Sequence, residues 1–404
     1  MVSKRKDFMF SDRIRNLGIS DEENELTRIK REKETQSIPV LDLMASNPTL
    51  VGLEFPINIL SHNLDKSFWS KYNPDPKGLP QTREAISSSY RTRNLEINPE
   101  DLILTASTSE AYSFIFKLLA NPNDEILIPA PGYPLFPFLA ELENISLKEY
   151  SLTFSPESKE WNYSLEEVKR QISSRTKLVL LVSPANPTGS VMRKEDWKEW
   201  LDWSEKTGIV LVLDEVFADY TNLFTDKSSH FYPVTDSAPV FVLNGISKML
   251  ALPQMKLSWI HVQGNPSFKK QALSGLEIIS DSFLSVNSPI QTMLPELLPW
   301  KSMVQNRILN RIKRNVMFAQ ERFAEISRLT WTYSDAGWYG MIQIQNSDLS
   351  SEEWAEKILS EKNVYLHPGD WYGFPETETV LIVSLIAEEE TFSAAAEKLA
   401  DIFL

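Results

Sequence analysis

The sequence contains no cysteine, which excludes disulfides, thiolate nucleophiles and thiolate metal sites. Histidine is scarce as well: His62, His230, His261 and His367 are scattered without ligand spacing, which argues against zinc or another metal. Basic residues are outnumbered by acidic ones, 41 against 55, and the formal charge of -14 disfavours attraction to nucleic acid or anionic lipid. Lys4, Arg5 and Lys6 are not followed by an apolar stretch of signal-peptide length, and no apolar run reaches membrane-spanning length. No internal repeat, low-complexity tract or Gly/Ser linker divides the chain. These absences predict a cytoplasmic protein that works on small molecules, with neither a nucleic-acid nor a membrane partner.

What is present fits that expectation. Of 404 residues 42% are hydrophobic, enough for a large core and two lobes. The first 40 or so residues are charge-rich and read as an exposed helix or arm. From about residue 80, helical stretches (Leu79 to Thr92, Thr108 to Ala120, Leu165 to Ser173, Lys194 to Thr207) alternate with short apolar runs, the pattern of parallel βαβ units. The runs are Leu102 to Leu104, Glu125 to Ile128, Leu178 to Val182, Ile209 to Leu213, Val240 to Leu243 and Leu257 to Val262, and most are too uniformly apolar for a sheet with an exposed face. After about residue 300 the pattern changes to a long helix (Ser302 to Ser327), an alternating strand (Tyr339 to Gln345), a helix, two strands and a final helix, an α+β lobe.

Ligands in open α/β sheets bind beyond the carboxyl ends of the strands, which directs attention to the loops after the runs. Thr105-Ala106-Ser107-Thr108-Ser109 opens an apolar helix, so hydroxyls and free amides meet at a positive helix end suited to phosphate. Alone, that loop is more simply an N-cap by Ser107 or Thr108. Ser183-Pro184-Ala185-Asn186-Pro187-Thr188-Gly189 alone is a turn. Asp214 leaves a buried strand, where an unpaired charge costs several kcal/mol, and so calls for an internal cationic partner. Lys248, in Asn244-Gly245-Ile246-Ser247-Lys248, stands among small residues, with Lys256 eight positions later; either lysine alone reads as surface. Together the loops offer what a pyridine cofactor demands: an amine for its aldehyde, an acid for its ring nitrogen, an anion site and an aromatic cover.

On these residues the chain resembles the class I/II aminotransferases, the aspartate-aminotransferase-like group of pyridoxal 5'-phosphate (PLP) fold type I, from about Asp42 to the C-terminus. Tyr72-Asn73-Pro74 to Gly78-Leu79-Pro80, with Arg83-Glu84-Ala85, is similar to the segment whose tyrosine reaches the neighbouring subunit's cofactor phosphate, which implies a homodimer. Ser107-Thr108-Ser109 and Pro131-Gly132-Tyr133-Pro134 resemble the phosphate loop and the ring stacked on the pyridine. Asn186-Pro187-Thr188-Gly189 and Asp214 are similar to the asparagine that donates to O3' and the carboxylate that pairs with the pyridinium nitrogen. Ser247-Lys248 is similar to the lysine motif, with Lys256 where the family usually places an arginine against the phosphate.

The resemblance implies PLP as cofactor, with Lys248 as Schiff-base lysine and proton shuttle between an α-amino acid and a 2-oxo acid. It implies an α/β fold: a large PLP-binding domain over residues 61–300, with a mostly parallel seven-stranded sheet between helices, and a smaller α+β domain over 301–404. Residues 1–60 would form an N-terminal arm and part of the small domain. Asn47, Trp338 and Tyr339 stand where the family lines its substrate pocket, though the two aromatics read equally as core; His367 and Trp371 are weaker candidates.

The sequence departs from the family in three places. Phe217 stands where many members have a tyrosine that donates to O3', Ile382 where the arginine for the substrate carboxylate falls, and Gly245 where some members have a phosphate-binding serine. Ile382 keeps open a PLP-dependent lyase or decarboxylase on the same fold. A non-catalytic ligand-binding module is the alternative of another class, against which Lys248, Asp214 and Asn186 stand intact.

Overall fold

The computed structural model describes residues 10–17, 23–56, 74–155, 157, 160–221, 223, 232–284 and 286–403. Tyr72 lies outside the described residues. The central sheet has seven strands: β1 (Leu102–Thr105), β2 (Glu125–Ala130), β3 (Ser146–Ser151), β4 (Thr176–Val182), β5 (Val210–Asp214), β6 (Val240–Gly245) and β7 (Ser258–Gln263). They lie in the order β1-β7-β6-β5-β4-β2-β3, and β7 alone runs against the others.

The uniform apolar runs arise because both faces are covered. Along β4, Leu178 and Leu180 pack with Tyr112, Phe114 and Phe116 on one face, while Val179 and Leu181 pack with Trp197, Trp200 and Trp203 on the other. The first set comes from helix α1 (Thr108–Leu119). The tryptophans recur every third position along α2 (Lys194–Thr207), which ends at Gly208 with a left-handed φ of 71°. The edge strand β3 is different: Ser146, Lys148 and Glu149 leave most of it half-exposed, the usual protection of a free sheet edge. No apolar run marks it in the sequence.

After β6 the chain forms a single helical turn, α3 (Ile246–Met249), and after β7 the longer helix α4 (Pro266–Phe283). A second sheet, antiparallel throughout, follows helix α5 (Lys301–Phe323) and takes the order β8 (Leu329–Tyr333), β9 (Tyr339–Ile344), β11 (Thr379–Ser384), β10 (His367–Pro368). Helices α6 (Ser351–Lys362) and α7 (Glu389–Phe403) pack with it.

The N-terminal segment joins this second layer. Leu41–Asp42 pairs in parallel with Val364–Tyr365, and Lys33 in the helix Glu25–Thr35 donates to Asn363 Oδ1 at 2.7 Å. That helix is the charge-rich stretch, exposed or half-buried along its length and anchored by buried Leu26. Among the described residues no helix is long and apolar enough to cross a membrane.

Candidate active site

At the carboxyl edge of the central sheet is a cavity of about 200 Å³. Lys248 lines it from α3, just past β6, with Nζ 4.9 Å from the Trp338 ring centroid and 5.8 Å from that of Phe217. Removal from water lowers the amine's pKa to about 8, against the pull of Asp214. The lowered value leaves about a tenth of the amine neutral at pH 7, far more than an ordinary lysine, which suits it to act as a nucleophile or a base.

Asp214 ends β5 and lines the same cavity. Burial raises its pKa to about 6, while a hydrogen bond from the Tyr112 hydroxyl (2.7 Å to Oδ2) and one from the Val216 amide (2.9 Å to Oδ1) act against the rise. No cation among the described residues reaches Asp214 within ion-pairing distance. Lys248, on the same cavity, is the cation whose charge bears on it, from beyond contact distance. Tyr112, one turn into α1, was not among the sequence candidates; its place inside an apolar helical run hides its polar tip.

Asn186 is 9% exposed and lines the cavity, yet its Oδ1 has no hydrogen-bond partner among the described residues. Since the amide O and N exchange places readily in assignment, the observation is that one end of a buried amide is unsatisfied beside an open space. Tyr133 lines the cavity too, half-buried and edge-on to Phe136 at 5.5 Å between ring centroids. Burial pushes its hydroxyl up to about 12, so it stays protonated. The preceding Gly132 is required sterically, since a Cβ there would collide with the Pro129 carbonyl oxygen.

The loop before α1 forms the N-cap given above as its simpler reading. Ser107 is the N-cap of α1, its hydroxyl accepting from the Glu110 amide at 3.1 Å, while Glu110 Oε2 accepts from the Ala106 amide at 2.6 Å. The first-turn amides of Thr108 and Ser109 have no helical carbonyl behind them, and Thr108 lines the cavity. Ser247 lines it as well; Ser107, Ser109 and Lys256 do not, and Lys256 is exposed with φ 59°.

Of the pocket candidates, Tyr339 lines the cavity and Trp338 packs behind, fully buried and edge-on to Phe217 and Tyr220. Burial raises the Tyr339 pKa, with Ser46 and Asn186 near its hydroxyl opposing. Asn47 is turned to local use, its Oδ1 accepting from the Thr49 amide at 3.0 Å, and it is neighbouring Ser46 that lines the cavity. His367 sits between the Tyr365 and Tyr372 hydroxyls at 3.1 and 3.0 Å, and Trp371 donates to Glu352; neither lines the cavity. Ile382 is buried in β11 opposite Met341.

A family model for aminotransferase class I and II matches residues 42–398. The chain belongs to this family. Its members transfer amino groups, and this aminotransferase does the same. It is similar to the tyrosine aminotransferase of Dictyostelium discoideum, 27% identical over 352 residues that cover 83% of this chain and 82% of that protein. The glutamate-pyruvate aminotransferase AlaA of Escherichia coli is 28% identical over 261 residues, 64% of this chain and 63% of that one. In fold, the aminotransferase matches an alanine aminotransferase from Pyrococcus furiosus with TM-score 0.85, at 22% identity, over 98% of this chain and 99% of that one.

Proposed function

We propose that this aminotransferase holds PLP in the cavity at the sheet edge and moves an amino group between an α-amino acid and a 2-oxo acid there. One observation carries the reading: an amine lowered to about 8 and a buried carboxylate raised to about 6 line the same cavity. The donor set fits the cofactor, because the unsatisfied end of the Asn186 amide, the buried Asp214 carboxylate with no ion pair among the described residues, and the open end of α1 are three polar groups that a phosphorylated hydroxypyridine satisfies. Bound there, PLP supplies an aldehyde for amines and a ring that stores the electron pair left when a Cα proton departs.

Each residue then has a task of its own. Lys248 Nζ would hold the cofactor through its aldehyde and would serve as the base for the substrate Cα proton. Asp214 sets its negative charge against the ring nitrogen, Asn186 turns its amide to O3', and Tyr133 covers the ring. Thr108 and Ser247, which line the cavity, would hold the phosphate at the positive end of α1; for Ser107, Ser109, Lys256 and the neighbouring subunit's Tyr72 the same task is supported by the family resemblance alone. Ser46 and the Tyr339 hydroxyl meet the substrate carboxylate in place of the arginine that Ile382 displaces, with Asn47 and Trp338 shaping the wall behind.

Residues 61–300 form the cofactor domain in this reading, and 301–404 with the N-terminal segment the smaller one. A homodimer is supported by Ile278, Phe283 and Leu284, exposed at 70%, 52% and 67%, with Leu284 beside the Pro74–Leu79 segment that leads from Tyr72. The cytoplasm is the compartment that suits an acidic chain without cysteine.

The test is spectroscopic. A panel of L-amino acids is added singly to purified protein, and the donor is the one that converts the visible cofactor band to a near-ultraviolet band which a 2-oxo acid reverses. A visible band that no amino acid converts favours the lyase or decarboxylase, the reading that Ile382 supports.

Phe217 carries a second expectation. It lines the cavity without a hydroxyl to donate, so Phe217→Tyr should lower the pH midpoint of the visible band by on the order of one unit, by favouring the deprotonated oxygen. A midpoint that stays or rises contradicts the placement.

A further inference from the structure

We infer that Ser258 supplies to the cofactor phosphate the hydroxyl that the family's serine would offer from the position of Gly245. The inference rests on the PLP reading above and adds a residue to it.

Gly245 closes β6 and is paired in register with Ser258, the first residue of β7; Ser258 is also paired with Thr105, the last residue of β1. Because β7 runs against the sheet, its beginning rather than its end stands at the carboxyl edge, between the strand that leads to the Ser107–Ser109 loop and the strand that leads to Lys248. Ser258 is 2% exposed and lines the cavity, and its hydroxyl has no hydrogen-bond partner among the described residues. The hydroxyl faces the cavity, the space where an anion would sit, with its O–H not committed to another described residue.

Gly245 explains why the hydroxyl is there. Its φ of -175° is extended backbone that any residue adopts, so conformation does not demand glycine. Space does: a Cβ built on Gly245 falls deep inside contact distance of Ser258 Oγ and 2.9 Å from Ser258 Cβ. The volume in which a side chain at 245 would begin is the volume that the Ser258 side chain fills. The hydroxyl missing from β6 is thus returned from the neighbouring strand.

The experiment compares binding of PLP and of pyridoxal, which lacks the phosphate, to cofactor-free protein, with thermal melting to report folding. Ser258→Ala should weaken PLP about tenfold, the loss of one hydrogen bond to a charged group, and leave pyridoxal binding unchanged. Gly245→Ser alone should be overpacked and melt lower, and Gly245→Ser with Ser258→Gly should recover PLP affinity. The double variant also decides the matter should Ser258→Ala fail to fold. Wild-type PLP affinity in Ser258→Ala, or equal losses for PLP and pyridoxal, overturns the role of Ser258 while leaving the cofactor reading standing. If the wild-type protein binds neither compound, the cofactor reading falls and this inference with it.

Discussion

Lys248→Ala is expected to lower kcat by at least about a thousandfold, because one change removes both the amine that takes the aldehyde and the base that moves the Cα proton. Lys248 is the one cationic residue among the described lining of the cavity, so no neighbour there can deputise. Lys248→Arg should lose as much. A guanidinium keeps the charge but neither deprotonates nor condenses with an aldehyde, so the comparison separates the need for a neutral amine from the need for a positive charge. Borohydride treatment followed by mass spectrometry provides the second readout: the wild-type chain should gain the mass of the reduced cofactor and both variants should not. A variant that is labelled and spectrally like the wild type would remove Lys248 from the centre of the site.

Arg93→Met is expected to destabilise the protein by about 3–5 kcal/mol, read as a lowered midpoint of denaturant unfolding. Glu215 is fully buried directly after Asp214 and accepts from the Tyr90 hydroxyl at 2.6 Å, from Asn244 Nδ2 at 3.0 Å, and from Arg93 at 3.0 and 3.3 Å. Arg93 is the cation in that set, and its loss removes the ion-pair partner that the described residues give this buried carboxylate. Asn244 in turn accepts from the Gly245 amide at 2.7 Å, so the network reaches the strand that delivers Lys248. Adding Glu215→Gln to Arg93→Met should recover part of the loss, since a neutral amide is cheaper to bury than a carboxylate. An unfolding midpoint that does not move in Arg93→Met would mean that the pair stabilises nothing.

How much of this was legible in the sequence follows from what each residue does. The apolar runs marked six of the seven central strands because those strands are covered on both faces; β3 escaped because it is an edge that stays half-exposed and polar, unlike β1 at the other edge, which is fully buried. Lys248, Asp214 and Asn186 stood out since they follow apolar runs and the fold places such loops along one edge of the sheet. Ser258 gave no such signal, because it begins a strand rather than ending one, and only the reversed direction of β7 brings it to that edge. Asn47 and Ser46 show a finer limit: adjacent polar residues differ in whether the side chain caps the local turn or lines the cavity, and local geometry settles which.

The pairing of Leu41–Asp42 with Val364–Tyr365 joins stretches about 320 residues apart. On the ribosome the earlier stretch emerges long before its partner, and at ordinary elongation rates it waits on the order of half a minute. During that interval the Glu25–Thr35 helix lacks both Asn363 and the α6 layer against which it rests. The segment's charge then has a use in synthesis as well as in the finished protein: it keeps an early, unpartnered stretch soluble until the last quarter of the chain arrives to receive it.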